Sequence, residues 1–426
     1  MSNIIQLFGN DVDVTQWMDK HPGGSKLFKI FKNRDATQQF TAIHKGSQAK
    51  AMLLSLPQKP SKSIPQYSEA ENEFNEIVKK LEPELSKVSY PYEFVKLTYT
   101  VGMFFCGYSL CFQSDYRYVG LVMMCLGIYQ AGWVGHDYSH RSIFKNPKHN
   151  NYVSDFLGFI VQGYTDIWWK SRHNTHHMTT NEINNDPDVR TEPVFHFYDK
   201  TPGKIGTQHI PMQNVLFMFL LSILDAFWRY ESIMILLKPA HKKLVFKNVL
   251  GLCVHYSMLI SLLLFTQVTL LDLTILSLCK GFMTASVVFA NHYPEDRLPN
   301  DHKMGLFEQT LRTSRNTTGL FFAHHDYDID VYDTKSTVKH KGGFSSILRR
   351  YIRLFFNETV GYLSMQIEHH CVPTWPSGNL MYLRPYIKEL ARKHNLPYKE
   401  TSIVYALYEN VIKLNNVGLE QLKRVQ

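Results

Sequence analysis

The chain has 426 residues, with 46 lysine and arginine residues against 37 aspartate and glutamate residues, so its formal net charge is +9. A basic balance is compatible with binding to nucleic acid or to an anionic lipid surface. Because the basic residues accompany long apolar runs, we expect a membrane surface and no nucleic acid as the partner.

Three regions follow one another along the chain. Residues 1–55 mix polar and apolar residues as a small soluble domain does, and residues 4–8 are predicted to form its first core strand. Residues 56–92 are rich in proline, serine, lysine and glutamate, which predicts a linker with a short polar helix. In residues 93–426, apolar runs alternate with polar stretches that carry histidines.

The N-terminal region carries two histidines in a recognisable setting. His21-Pro-Gly-Gly is followed by Asp35-Ala-Thr, Phe40 and His44. Glycines after a histidine allow the backbone to pass close to a flat macrocycle. The motif resembles cytochrome b5, and the resemblance implies that His21 and His44 are the axial ligands of haem b. A haem iron with two imidazole ligands transfers electrons and does not bind oxygen.

The alternative is a turn of the same sequence that holds no cofactor. The family's module usually begins some two dozen residues earlier, so residues 1–55 are predicted to be a minimal or truncated version of it.

Five long apolar runs follow the linker. Four are predicted to cross the bilayer as two hairpins, since each is near the roughly 20 residues that a spanning helix needs: residues 94–112, 116–135, 249–271 and 273–290. The fifth, residues 215–237, contains Asp225, Arg229 and Glu231, which are costly inside a membrane, so it is predicted to lie at the interface or on the cytosolic side. Residues 1–14 lack a signal-peptide pattern, so we expect both termini to be cytosolic.

Three histidine clusters lie between and after these runs. They read His136-Asp-Tyr-Ser-His140, His173-Asn-Thr-His176-His177 and Gln366-Ile-Glu-His369-His370. Helical residues three or four positions apart share a face, so each cluster directs its side chains at one point. Seven imidazoles and one amide exceed the four ligands of a tetrahedral zinc ion, and nitrogen-rich ligation suits iron or copper. The sequence therefore predicts a site for two metal ions.

The clusters resemble the three histidine boxes of membrane fatty acid desaturases, and the Gln-Ile-Glu-His-His box is similar to that of the front-end branch. The stretch 309–316 and the motifs Pro373-Thr-Trp-Pro and Leu383-Arg-Pro also resemble this family. The resemblance implies a di-iron centre whose ligands are His136, His140, His173, His176, His177, Gln366, His369 and His370, with His292 as a further ligand. An even number of spans must then separate the boxes, which agrees with four spans.

Other polar residues near the boxes are assigned supporting roles. Asp137 and Glu368 are expected to orient ligands, and with Gln366 they are the predicted catalytic residues. The pair Asp186 and Asp188 either orients ligands in the same way or caps a helix, and the cap is favoured. Residues 317–356, with His324-His325-Asp326, are predicted to be an exposed insertion without a metal ligand.

The resemblance implies a mostly α-helical protein, in which a small α+β cytochrome b5-like domain precedes a four-helix membrane bundle with a cytosolic di-metal cap. The implied activity is front-end fatty acyl desaturation at a delta-5, delta-6 or delta-8 position. It uses O2 and electrons from NADH, which reach the haem through a separate NADH-cytochrome b5 reductase. The implied substrate is a fatty acyl lipid or acyl-CoA, and the implied location is the endoplasmic reticulum membrane.

Three alternatives stay open. The first is the same scaffold with another reaction: either hydroxylation, or delta-8 desaturation of sphingolipid long-chain bases, which shares the fused haem domain and the glutamine box. A metal transporter would carry acidic or histidine residues inside its spans, where this sequence has little beyond His255 and Lys280. An anchored electron-transfer protein would not need the three boxes.

Overall fold

The structure, a computed structural model, describes residues 2–21, 24–44, 46–63, 65–191, 195, 197, 212–237, 242–321 and 344–425. Residues 22–23 of the His-Pro-Gly-Gly motif and residues 324–326 of the expected insertion lie outside these ranges.

The N-terminal domain is a three-stranded antiparallel sheet with three short helices. Its elements are β1 (Ile4–Leu7), β2 (Asn10–Asp13), α1 (Lys26–Ile30), α2 (Thr37–Ile43), α3 (Ser47–Leu54) and β3 (Gln58–Pro60). The strand order is β1-β2-β3, and Val12 pairs with Gln58 across the second interface. Inward-facing residues of β1 and β2 form the core with Phe31, which is buried.

Strand β3 lies within the stretch that the sequence analysis assigned to the linker. Its sequence, Gln-Lys-Pro, is polar and ends in proline, and all three residues are exposed. Such a sequence is typical both of an edge strand and of a linker. Local composition therefore could not distinguish the two, although the pairing with β2 attaches residues 58–60 to the N-terminal sheet.

The rest of the chain is almost entirely helical. Its elements are α4 (Glu69–Leu85), α5 (Tyr90–Leu110), α6 (Arg117–Ser139), α7 (Pro147–Phe156), α8 (Asp166–Met178), α9 (Gln213–Met234), α10 (Lys242–Phe265), α11 (Leu270–His292), α12 (Leu306–Thr313), β4 (Asn316–Gly319), α13 (Phe344–Thr359), α14 (Gln366–Cys371), α15 (Leu380–Lys393), β5 (Glu400–Ser402) and α16 (Ile403–Val425). A π-helical turn, Leu157–Gln162, continues α7.

Three helical segments within the described ranges are long and apolar enough to cross a membrane: Ser114–Ser139, Val245–Phe265 and Leu270–His292. They correspond to three of the four predicted spans. The remaining one, residues 94–112, falls mainly in α5, whose apolar residues are diluted by tyrosine, threonine, serine and glycine. The count of four spans therefore stays a prediction.

Helix α4 connects the N-terminal domain to the interior of the larger one. The Glu71 side chain is 1% exposed and accepts a hydrogen bond from the Glu308 backbone N–H in the first turn of α12, at 2.9 Å. Phe74 stacks on Phe307 with ring centroids 4.6 Å apart. From Glu69 onward the connection is therefore packed against the larger domain.

Residues 317–356 are not wholly an exposed insertion, as the sequence analysis expected. Residues 317–319 belong to β4, which is buried and runs parallel to β5. Two strands from distant parts of the chain form this pair, so their pairing left no local signal in the sequence. Residues 344–356 form most of α13, and residues 322–343 lie outside the described ranges.

Helices α5 and α6 approach closely along a row of glycines. A Cβ atom on Gly120 would lie 2.5 Å from the Gly107 carbonyl oxygen and 2.9 Å from the Cys111 nitrogen. A Cβ atom on Gly127 would lie 2.6 Å from the Phe104 nitrogen. Small residues let helix backbones approach in this way, and the contact fixes where the end of α6 points.

We expect Gly120→Ala to destabilise the protein by about 1–3 kcal/mol, because the added methyl group meets backbone atoms that cannot rotate away. The measurement is the thermal unfolding midpoint of the purified protein in detergent. Gly102→Ala on α5 is the matched control, since its Cβ would meet nothing within 4 Å. Equal midpoints for the two variants would contradict the proposed backbone contact.

Candidate metal centre and haem site

The three histidine boxes lie at the ends of helices that converge on one buried region. His136 lies in the last turn of α6 and His140 follows that helix directly. The second box lies in the last two turns of α8, and the third forms α14. His292, the last residue of α11, joins them. The structure thus brings all the predicted ligand positions together.

Five imidazoles form a first group, with ligand nitrogens within 4.8 Å of one another: His136, His140, His173, His177 and His369. The His140 Nε2 atom lies 2.8 Å from His173 Nε2 and 3.3 Å from His136 Nε2. The His177 Nε2 atom lies 3.0 Å from His173 Nε2. Metal–imidazole bonds are about 2 Å long, so two ligands at right angles on one metal have nitrogens about 3 Å apart. These separations fit one coordination shell.

His176, His292 and His370 form a second group. The Nε2 atoms of His176 and His292 are 3.4 Å apart. The two groups are adjacent, because His177 stacks on His370 with ring centroids 4.1 Å apart. Eight imidazoles in two neighbouring groups fit two metal ions, and a set rich in imidazole suits iron or copper. The role of these residues as ligands remains a prediction.

Gln366 lies beside the second group, but its oxygen faces away from it. The Asn291 side-chain amide donates to Gln366 Oε1 at 3.1 Å, which leaves Gln366 Nε2 2.8 Å from His292 Nε2. An amide nitrogen is a donor and does not ligate a metal. Direct ligation by Gln366 would require its side-chain amide to rotate so that the oxygen, rather than the nitrogen, faces the imidazoles.

Several imidazoles are oriented through their second nitrogen. His176 Nδ1 lies 2.9 Å from the Asp186 carboxylate, and His292 Nδ1 donates to the Thr313 carbonyl oxygen at 2.9 Å. His370 Nδ1 lies 3.1 Å from the Thr180 hydroxyl. Such contacts fix the ring and leave Nε2 for a metal.

Asp186 therefore orients the His176 ring, and it is not the helix cap that the sequence analysis favoured. Helix α8 ends at Met178, and the loop after it turns back so that Asp186 meets the helix from outside. The Asp-Pro-Asp motif after the second box carried the signal, whereas the carbonyl of Thr313 had none.

The two predicted acidic residues lie behind the imidazoles. Asp137 Oδ1 is 3.9 Å from His136 Nδ1, while Oδ2 accepts from Lys96 at 2.9 Å and from the Ser377 hydroxyl at 2.7 Å. Asp137 thus links α5, α6 and the segment after α14 beside the first group.

The Glu368 oxygens contact Tyr398 at 2.7 Å and the Asn316 amide at 2.9 Å, rather than a histidine. Burial raises the pKa of Glu368 to about 7. The catalytic roles predicted for Asp137, Glu368 and Gln366 stay predictions.

The electrostatic environment favours neutral rings. Burial lowers the pKa of most imidazoles outside the spans well below its ordinary value, namely those of His140, His173, His177, His369 and His370. His176 differs, because burial lowers its pKa but the Asp186 and Asp188 carboxylates raise it by more. Neutral imidazole is the form that binds metal ions.

A cavity leads from the imidazoles into the helical bundle. Its walls come from α6, α8, α9, α11 and the π-helical turn, and include Trp133, Trp169, Trp228 and Phe159. Its lining extends to Lys280, which lies twelve residues before His292 on α11, or about 18 Å along that helix. Lys280 Nζ is bonded there to Asp225 at 2.5 Å and to the Tyr164 hydroxyl at 2.7 Å.

His21 and His44 face each other in the N-terminal domain. Their ring centroids are 6.0 Å apart, which is about the separation of two imidazoles on opposite sides of one metal atom, given bonds of about 2 Å. His44 Nδ1 lies 3.0 Å from the Phe40 carbonyl oxygen, which leaves Nε2 for the metal. Burial, together with the charge of the nearby His44, lowers the pKa of His21 to about 4. The two residues fit the axial ligands of a haem.

We expect Asp186→Asn to weaken iron binding roughly 10–100-fold, because the carboxylate that orients His176 is replaced by a neutral amide. The measurement is the iron retained after dialysis against increasing chelator. Asp301→Asn, in an exposed position, is the control and should retain iron as the unaltered protein does. Unchanged iron retention in Asp186→Asn would contradict the orienting role.

Haem binding is tested separately from the metal centre. We expect His44→Ala to lose the Soret absorbance of a bis-imidazole haem, since one of two axial ligands is removed. Iron held by the eight-imidazole centre should be unaffected. His149→Ala, which changes an exposed histidine, should leave the haem spectrum unchanged, and a haem spectrum that survives His44→Ala would exclude His44 as a ligand.

Comparison with known proteins agrees with this geometry. A family model described as fatty acid desaturase matches residues 117–402, and one described as a cytochrome b5-like haem/steroid binding domain matches residues 9–59.

Characterised relatives align over nearly the whole chain. An acyl-lipid 8-desaturase of Rebecca salina is 33% identical over 434 residues, which covers 96% of this chain and 90% of the relative. A delta-8 fatty-acid desaturase of Euglena gracilis is 29% identical, covering 93% and 90%. A delta-6 fatty-acid desaturase of Caenorhabditis elegans is 25% identical, covering 94% and 92%. The chain therefore belongs to the fatty acid desaturase family, a family of oxidoreductases, and carries an N-terminal cytochrome b5-like domain.

Proposed function

We propose that the protein is a front-end fatty acyl desaturase, which inserts a cis double bond between an existing double bond and the carboxyl end of the chain. The observation that carries this proposal is the cavity, which is lined by imidazoles of both groups at one end and continues between apolar side chains as far as Lys280. A hydrocarbon chain in this cavity would pass directly beside both groups. The relatives also support it, since they are named for the 8, 6 and 5 positions.

The proposed cofactors are haem b at His21 and His44 and two iron ions at the eight imidazoles. When bound, iron would supply the activation of O2 that breaking an unactivated C–H bond requires. The overall reaction balances because the acyl chain gives up two hydrogen atoms, the haem supplies two electrons, and two protons complete the reduction of O2 to two water molecules. NADH and a separate cytochrome b5 reductase are the proposed source of these electrons.

The protein's own side chains would hold the substrate at a fixed depth. Trp169 stacks on His173 with ring centroids 4.5 Å apart, so the wall of the cavity is continuous with the ligand set. At the far end, Lys280 is paired with Asp225, so its ammonium group does not face the tail as an isolated charge. A substrate chain held at one depth presents the same carbon atoms to the metal centre each time. The double bond then forms at one position.

Position, carrier and location complete the proposal. The delta-8 position is the first to test, because the two relatives at 33% and 29% identity are both 8-desaturases. A lipid-linked acyl chain is the proposed substrate, with acyl-CoA as the other carrier. We place the protein in the endoplasmic reticulum membrane, with several spans and with both termini and the metal centre on the cytosolic side.

We expect yeast that expresses the protein, when fed linoleic, alpha-linolenic, dihomo-gamma-linolenic and 11,14-eicosadienoic acids, to make a new acyl product. Its added double bond should lie on the carboxyl side of the existing ones. The measurement is gas chromatography with double-bond location. His369→Ala removes one imidazole of the first group and should abolish the product, whereas His149→Ala should not.

Two results would change the proposal. A double bond on the methyl side of the existing ones would contradict the front-end assignment. A changed long-chain-base profile without an acyl product would identify a sphingolipid desaturase, although the relatives quoted are all named for fatty acyl substrates.

A further inference from the structure

The residues that follow the second and third histidine boxes face the N-terminal domain. Met178, directly after His177, is 5% exposed and packs in the same hydrophobic cluster as the core of that domain. Thr374, four residues after His370, donates from its hydroxyl to the Ala42 carbonyl oxygen at 3.4 Å. Ala42 is two residues before the haem ligand His44. The metal cap and the haem domain are therefore in direct contact at two boxes.

An ion pair with one buried partner holds the same contact. The Arg34 guanidinium binds the Glu182 carboxylate through two hydrogen bonds, of 2.8 and 3.1 Å. The Glu182 side chain is 1% exposed and also contacts His302 Nε2 at 3.1 Å, whereas the Arg34 side chain is 25% exposed. Glu182 follows the second box by five residues. Two-point binding of a guanidinium fixes orientation as well as distance.

Further polar contacts join the haem domain to the connection that leads away from it. Asp35 accepts a hydrogen bond from the Tyr67 hydroxyl at 2.6 Å. The Gln38 amide donates to Glu71 at 2.5 Å and its oxygen accepts from the Leu306 N–H at 2.7 Å. Helix α4 is itself packed against α12. The connection between the two domains therefore holds the haem domain in a fixed position against the larger domain.

We propose that the haem domain is held on the metal cap by Arg34, Glu182 and Met178, and that this docked arrangement is the one in which electrons pass to the metal centre. The proposal rests on the proposed function. In each transfer, ferrous haem is oxidised to ferric haem and the metal centre gains one electron, so two transfers serve one turnover. Arg34 and Glu182 are positioning residues, since they act through the placement of the haem.

The test compares Arg34→Glu with Lys32→Glu. Both variants change the charge by the same amount on one short segment, but Lys32 is exposed. The holoprotein is reduced without oxygen, then mixed with O2 and acyl substrate, and oxidation of the haem is followed by its absorbance. We expect Arg34→Glu to slow this oxidation about tenfold or more, because a reversed charge now faces a buried carboxylate, and Lys32→Glu to leave it within about twofold.

Two further measurements separate docking from misfolding. Haem and iron contents of Arg34→Glu should equal those of the unaltered protein. Glu182→Gln should also slow oxidation, and the double variant should be no slower than Arg34→Glu alone, since both changes break one contact.

The outcomes are distinct. Equal oxidation rates in the unaltered protein and Arg34→Glu, with product formed, would overturn the docking proposal and leave the function standing. If added substrate does not speed haem oxidation in the unaltered protein, both the docking proposal and the proposed function are overturned.

Discussion

The close packing of eight imidazoles is the constraint on which the rest of the structure depends. Their nitrogens approach to about 3 Å in a buried region, where polar atoms without partners are costly. Four separate helices must end at this point, so the boxes occupy helix ends rather than helix centres. The second nitrogens of His176, His292 and His370 are then bonded to groups from other segments, which makes the surrounding chain part of the centre.

The histidine boxes could be predicted from the sequence because their geometry is local, with ligands three or four residues apart on one helix. Partners brought in by tertiary structure could not be. Asp186 meets His176 only because the loop after α8 turns back, and Thr313 contributes a backbone carbonyl, which any residue type would supply. The third strand of the haem domain was missed for a similar reason, since an exposed edge strand has the composition of a linker.

Charged residues inside the bundle show a second limit of sequence reasoning. Asp225 and Arg229 were taken to keep residues 215–237 out of the membrane. In the structure they bond to each other at 2.9 Å, and Asp225 also pairs with Lys280 on α11. Paired charges cost far less than isolated ones, so these residues do not by themselves decide where α9 lies. Helix α9 is not one of the three described segments that are long and apolar enough to cross a membrane, and this reflects its overall composition.

Helix α12 joins the tether of the haem domain to the metal centre. Glu71 holds its first turn, and the Thr313 carbonyl at its last residue holds the ring of His292, so a rigid body of eight residues lies between the two contacts. Chimeric proteins that exchange haem domains should therefore be joined within residues 61–68, before α4 begins. A junction placed after α4 would replace Glu71, and the substituted tether would then alter the position of an imidazole in the metal centre.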